Sequence, residues 1–519
     1  MALSGIGASS ALAFWGAPTI ADTSSTPLTI TASLAKIVAA NVAAVSAPTA
    51  SLGLILNTAP VTYSRPLPLK TDQVAWAVPP SDAISRLMEG NLSTPGDSSL
   101  LKGLGAALLD RFATTQSDFQ QSAVDFEPSY SNRAADGSYS DIKTTAADAL
   151  QYAKNPPNNV SLKLHLVSGK EVDISVSFGG DGKAIQKSLS VDVHTSGKLT
   201  AAEQTAIAQL SKGFEAALQG VSQGEAKIDV SGLVNFDPSV LSAVDLTVRA
   251  PPPPPYSVVS PGWDPLRSLD FHADAAKRSL AVKTLAGSVS VNVDLSQSAF
   301  LGTTAQQQTA VQRYLDQFDA ANKRGHGDTV SVAEFKDAFA QLNSSYPPPG
   351  RAQPKALNSS ALSDQDHSVL SGLADFQASM SVDFNNATAK ESGHIDYQVS
   401  QSTQSQGSSK AALAVVQTQG ATLTASYEKN REGAEPTKGS YDIFRVNDSS
   451  STITSFEYAK DKLKTASITG VANQLDQYEK LVHDKVVERK DTPANRSTVR
   501  DISAEWPAAD SIANAYAFA

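Results

Sequence analysis

Period-two alternation of apolar and polar residues restricts this chain more than any other feature. Val160, Leu162, Leu164 and Leu166 alternate with polar residues. After a turn at Ser168 and Gly169, so do Val172, Ile174, Val176 and Phe178. A glycine-rich turn at 179–182 leads into Leu189, Val191 and Val193. Successive strand side chains point to opposite faces, so this spacing predicts a three-stranded antiparallel meander with one apolar and one wet face. The apolar face needs a cover. Ile207, Leu210, Phe214, Leu218 and Val221 supply it, stepping by three or four residues along one helical stripe. Thr200 and Glu203 predict a capping box at its start.

The pattern recurs. After strands around 280–282 and 289–295, a second helix is expected from Thr304, with Gln307 closing its capping box. Thr200, Ala201, Gln204, Thr205 and Phe214 return as Thr304, Ala305, Gln308, Thr309 and Phe318 at a constant offset. Exposed Gln and Thr positions match along with apolar ones, which reads as an internal duplication. A weaker third copy is expected from Ser363, with Asp366 in the box. Beyond Phe376 the chain is strongly β. Alternation at 380–384, 395–399, 413–415, 423–427, 441–443 and 453–455 predicts an antiparallel meander of six strands, and 402–409 reads as a Ser/Gln/Gly-rich loop. Ile468, Val471, Leu475, Tyr478, Val482 and Val486 then step by three or four, which predicts a closing helix with a short heptad seam.

Five consecutive prolines at 251–255 cannot pair in a sheet and mark a polyproline linker. The fold class expected is therefore α+β: antiparallel meanders, each covered by amphipathic helices, internally duplicated, with a Pro-rich linker between halves. The segments read as a flexible or docking N-terminal stretch (1–60), a first α+β domain (61–250), the linker (251–256), a second sheet-helix unit (257–350), a long meander with a C-terminal helix (351–500) and a tail (501–519). No Lys or Arg precedes Lys36, so 1–25 lacks the positive region of a secretory signal. The apolar stretch 35–56 is interrupted by Lys36, Asn41 and Pro48 and is a poor membrane span.

Composition excludes several functions. With no Cys there is no disulfide framework, thiolate metal site or cysteine nucleophile. A net charge of −10 with 18% charged residues is a poor match for nucleic acid, which demands a basic surface.

Motifs add little chemistry. Residues 220–224 spell G-x-S-x-G around Ser222, but the motif follows a helix and precedes a strand, the reverse of a nucleophile elbow. Gly220 reads as a helix C-cap. The block at 96–98 resembles the Gly-Asp-Ser block of a family of serine esterases, but no hydrophobic strand precedes it. The segment 318–339 resembles a calcium-binding helix-loop-helix. Neither register places oxygen ligands correctly: from Asp319, positions 3 and 5 are Ala321 and Lys323. Glu334 is instead expected to cap a helix with Ser331. His165 and His194 fall on the polar phase of their strands, where adjacency could make a weak metal site.

No catalytic, cofactor-binding or metal residue is therefore assigned, and no cofactor. The expected function is a non-enzymatic exported or cell-surface structural protein, reaching the outside without a classical signal peptide. Its partner is another protein or itself, through sheet edges or the 468–486 helix, with no nucleic acid and no transmembrane span. A soluble binding or adaptor module, an enzyme with a site invisible to spacing, and a cytoplasmic location are the alternatives.

Overall fold

The computed structural model describes residues 73–506, apart from 97, 116–117, 134–138, 224–226, 252–264, 328, 347–361, 387–389 and 431–438. The N-terminal stretch, the patch at 347–354 and the 507–519 tail lie outside the described residues, as does all of the proline run except Pro251.

The chain opens with β1 (Gln73–Trp76), α1 (Ala83–Ser93), α2 (Leu104–Asp110) and β2 (Phe119–Phe126). A small hairpin of β3 (Ser129–Arg133) and β4 (Tyr139–Lys143) leads to α3 (Ala146–Tyr152). The first predicted meander follows as β5 (Asn158–Leu166), β6 (Glu171–Gly179) and β7 (Ile185–Thr195), then α4 (Ala201–Gln209) and α5 (Ser211–Gln223). The chain continues through β8 (Leu241–Arg249), β9 (Ser268–Asp274), β10 (Lys277–Lys283) and β11 (Gly287–Asp294). Next come α6 (Thr304–Gly325), α7 (Thr329–Leu342) and α8 (Asp364–Ser368). Six long strands end it: β12 (Asp375–Asn386), β13 (Glu391–Gln406), β14 (Ala414–Lys429), β15 (Asp442–Ala459), β16 (Lys462–Val482) and β17 (Lys485–Asp501).

Apart from the β3–β4 hairpin, every strand joins one antiparallel sheet, in the order β1-β2-β7-β6-β5-β8-β9-β10-β11-β12-β13-β14-β15-β16-β17. The sheet crosses the proline run without a break: β8 pairs with β9, Thr247 opposite Asp270. All three segments assigned above as separate units thus contribute strands to the same sheet.

The alternation decides which face is covered. Val160, Leu162 and Leu164 of β5, Ile174 of β6 and Val191 of β7 are fully or almost fully buried. They pack under Met88 of α1, Leu104 and Leu108 of α2, and Phe214 and Leu218 of α5. Farther along, Tyr314 and Phe318 of α6 meet Phe335 and Phe339 of α7 over Phe376 and Tyr397 of the sheet. Phe318 lies 4.6 Å from Phe335, and Phe339 lies 5.0 Å from Phe376, ring to ring. The helices approach closely where side chains are missing. A Cβ on Gly105 of α2 would sit 2.8 Å from the Glu215 backbone of α5. Glu215 in turn accepts from the Gly103, Gly105 and Ala106 backbone N–H groups at 2.6–3.3 Å, capping α2 from outside. On the opposite face, among the described residues, only α3 packs down, through Ala149 and Ala153 onto Val124, Phe126 and Ile185. From β6 to β17 that second face is open among the described residues.

A buried polar lock holds the far end. Asp366 is fully buried and forms the predicted capping box, accepting from the Ser363 backbone N–H and hydroxyl at 2.7 and 2.8 Å. It also accepts from Tyr458 Oη at 2.5 Å and pairs with Lys410 at 2.8 Å. Trp506 donates to Tyr458 Oη at 3.2 Å.

Three expectations are corrected here. The closing helix at 468–486 is instead the β16–β17 hairpin. The apolar residues that step by three and four are divided between both faces, Ile468 and Tyr478 on the helix-bearing side and Val471 and Leu475 on the open side, and the turns are two-residue pairs with positive φ. Lys460 and Asp461 (51° and 62°) join β15 to β16; His483 and Asp484 (50° and 58°) join β16 to β17. That is the type I′ pattern, which favours Asn-Gly and is hard to read without glycine. The loop expected at 402–409 is largely the end of β13. The α6 cap is Thr303, which accepts from the Gln306 N–H at 3.3 Å, and Gln307 reaches back to the Gly302 carbonyl at 2.8 Å. The two caps are thus out of step with the sequence match by one residue. The duplication itself is not shown. The first helical stripe breaks at Leu210 into α4 and α5, whereas α6 is continuous. After α5 the chain returns beside β5, the first strand of its meander; after α7 and α8 it returns beside β11, the last.

Candidate functional site: the open sheet face

The open face is ordered in rows. Ser290 of β11 stands opposite Ser379 of β12, then Gln398, Thr422, Ser449, Asn473 and Asn495 on the five strands that follow. The neighbouring row reads Asn292, Gln377, Ser400, Gly420, Ser451, Val471 and Ser497. Neighbouring strands lie about 4.8 Å apart, so the first row is a regular line of hydroxyl and amide groups without charge, and the second is the same but for Gly420 and Val471. One row further, Ile453, Thr469 and Val499 stand opposite each other. With Val416 and Val471 they form an exposed apolar patch, 38% exposed at Ile453 and 78% at Val499.

Toward β6–β9 the same face becomes titratable. Glu171, His165, Asp245, His272 and Asp274 form a chain across four strands. His165 lies 3.3 Å from Glu171 and 3.0 Å from Asp245; His272 lies 2.7 Å from Asp245 and 3.1 Å from Asp274. Burial works to raise the Asp274 carboxyl, but backbone N–H groups of Lys277 and Ala276 and the His272 ring hold it below the usual range. Each imidazole nitrogen faces a carboxylate, so the groups satisfy one another along a line and do not converge on a point. No group of three His, Asp or Glu among the described residues could hold a metal ion. His165 and His194 are not neighbours. β6 lies between them, and His194 faces Asp118 at 2.9 Å.

A third cluster has the outline of a hydrolytic triad. His394 Nε2 is 3.3 Å from Ser381 Oγ, and Nδ1 is 2.7 Å from Asp383 Oδ1. A serine, a base and an orienting carboxylate in hydrogen-bond reach is the arrangement that activates a nucleophile. Here a second carboxylate spoils it. Asp396 Oδ2 is 3.2 Å from the same Nε2. Burial disfavours the charged ring, but hydrogen bonds and charge from Asp383 and Asp396 outweigh it and raise the His394 pKa. Asp396 competes with Ser381 for Nε2, and the raised pKa favours the protonated ring, which makes His394 a poorer base for the serine. Sequence reading missed this cluster because it depends on register: Asp383 opposite His394, and Ser381 opposite Asp396.

The motif serines go elsewhere. Ser222 sits in the last turn of α5 and donates to the carbonyls of Ser98 and Gln219, so both motifs meet in a surface tie. Gly220 is not a C-cap. It lies within α5, where a Cβ would meet the Lys227 carbonyl at 2.8 Å. In the helix-loop-helix segment, Asp319 pairs with Lys336 at 2.5 Å. α7 begins at Thr329, so Ser331 and Glu334 lie inside it and Ser331 is not its N-cap. Beside the start of α6, Arg313, Asp364 and His367 line a groove of about 610 Å³, with burial lowering the His367 pKa.

No known protein family, curated protein or solved structure matches this chain.

Proposed function

We propose that this chain is a non-enzymatic exported or cell-surface protein that works by assembly, with the open sheet face as its contact surface. The observation that supports this best is the set of uncharged hydroxyl and amide rows running from β11 to β17. Such a face offers many hydrogen bonds without an electrostatic field that would repel a like surface. A chain with no Cys folds outside the cell without oxidative assistance, which agrees with export. No helix among the described residues is long and apolar enough to cross a membrane.

Protease treatment of intact cells, with supernatant and cytosolic fractions run beside it, tests the location. Sedimentation of the purified chain tests assembly. A cytosolic monomer that hydrolyses ester substrates, and loses that activity in Ser381→Ala, contradicts the proposal. The groove beside α6 favours a second reading, a binding module for a small acidic ligand held by Arg313. Calorimetry with short dicarboxylates checks it, and Arg313→Ala abolishes the heat if that reading holds.

A further inference from the structure

We infer that the occupant of the open face is a second copy of this chain, docked face to face over β14–β17 rather than joined strand to strand. The inference rests on the assembly reading above and names its surface and partner.

The edges are poor places to join. An exposed edge strand is a template for pairing unless charges or proline blunt it. β17, the last strand of the sheet, carries Lys485, Arg489, Lys490, Arg496 and Arg500, and Pro493 removes a backbone donor from its middle. At the other edge β1 has four residues, too few for a long ladder. Among the described residues, what remains without cover is the face.

That face has the anatomy of an interface. Val416, Ile453, Val471 and Val499 form an apolar centre, and rows of Ser, Thr and Asn surround it. Apolar core with polar rim is the usual arrangement of a specific contact. A two-fold contact requires a surface that complements itself. The rows on one side of this patch, through Ser449, Asn473, Asn495 and Ser497, carry no charge, and on the other side Asp501 stands at the β17 end of the Val416, Ser455 and Ser467 row, so a second copy meets an uncharged centre with its acidic groups at the rim. The β6–β9 part of the face, with its alternating imidazoles and carboxylates, lacks that property. The area is of the right order: four strands about 4.8 Å apart and about a dozen residues long give roughly 760 Å² per copy, close to the roughly 800 Å² per partner of a standard interface.

The chain has no Cys, which makes single-cysteine trapping unambiguous. Ile453→Cys, Thr469→Cys and Val471→Cys are each oxidised in the full chain, with Ala494→Cys, at a position on the other face of β17, as control. Sedimentation equilibrium of the parent and of Val499→Glu runs alongside. The expected result is a parent dimer, disulfide-linked dimers from at least one of the three open-face variants and none from the control. The dimer dissociation constant rises at least tenfold in Val499→Glu, whose circular dichroism is unchanged and whose unfolding midpoint matches the parent's when both are diluted to monomers. A chain that assembles undiminished in Val499→Glu, or cross-links only through Ala494→Cys, overturns the face-to-face inference while leaving assembly standing. A parent that stays monomeric at every concentration overturns both.

Discussion

The strands β5–β11 and β12–β17 belong to one sheet but are held in different ways. The first group is short, seven to eleven residues each. Its alternate side chains go straight into the core: Leu162, Ile174, Val191, Leu246, Phe271, Leu280 and Val291 are all buried. The second group is long, twelve to twenty-one residues. Burial fades across it. β13 still buries Ile395, Tyr397 and Val399, β15 only Val446, Phe456 and Tyr458 among its apolar residues, and β17 is exposed almost throughout. Where one face is buried, a one-residue slip would expose a whole apolar set, so burial fixes the register. Beyond the helices that penalty shrinks to one end of β15 and β16, where Phe456, Tyr458, Ala466 and Ile468 pack with Trp506. Elsewhere the two-residue turns at 460–461 and 483–484 must fix register instead. The contrast teaches that a sheet covered by helices can extend past them on backbone pairing and a few side-chain ties, such as Phe444 on Tyr478 and Arg324 to Asp448 and Asp476, provided both faces are polar enough for water or for a partner.

The largest test of this contrast is the aromatic cluster under α6 and α7. Phe318→Ala, at a site 1% exposed, is expected to cost about 3–5 kcal/mol in urea unfolding. Val499→Ala on β17 is expected to stay within about 0.5 kcal/mol in the same experiment. Equal losses would erase the distinction.

Two carboxylates give opposite pH dependences. At the α4 cap, burial opposes ionisation of Glu203, yet Lys170, Ser168 and Thr200 hold its pKa down at about 2. Its contribution, about 3 kcal/mol, is present above pH 4.5 and lost as pH falls toward 2. At the start of β12, burial raises Asp375 to about 6, against hydrogen bonds from Thr403 and with Asp294 adding to the rise. Its contribution is present below pH 3.8 and lost as pH rises through 6, a change of about 2–3 kcal/mol. Unfolding midpoints of Glu203→Gln and Asp375→Asn, measured from pH 2 to 7.5, should each flatten their own window and leave the other intact.

Smaller effects sharpen the picture. Glu215→Ala removes the acceptor that caps α2 and is expected to cost about 1–2 kcal/mol, read from the same denaturation curves. Asp396→Asn is expected to change stability by less than about 0.5 kcal/mol, since the pair is half-exposed. It should nevertheless move the His394 titration, followed by NMR, back toward the ordinary histidine value. An unmoved titration would mean that Asp396 does not hold the ring.

Much of the covered region was legible in the sequence. Alternation at 160–193 located β5, β6 and β7, and the helical stripe with its Thr200–Glu203 box located α4 and α5. The six expected meander strands are four, because β14 and β15 each contain two of the alternating stretches. Alternation lapses within them near Gly420 and the serines 449–451, where the helix-bearing face carries Gln417, Gln419 and Ala421 on β14 and Ser450 and Thr452 on β15 in place of large apolar residues. The 468–486 hairpin was misread for the same reason: with neither face buried, period two is lost and a chance three-four spacing stands out. The titratable clusters were illegible because cross-strand register alone brings His165 to Asp245 and His394 to Asp383.

Native-state hydrogen exchange, followed strand by strand in dilute solution, tests the central claim most directly. The expected result is that amides of β5, β6 and β8 exchange only through global unfolding. Those of β16 and β17 should exchange at least a hundredfold faster, through local opening, and slow as the protein is concentrated and open faces meet. Protection of β16 and β17 equal to that of β6 in dilute solution would contradict the account.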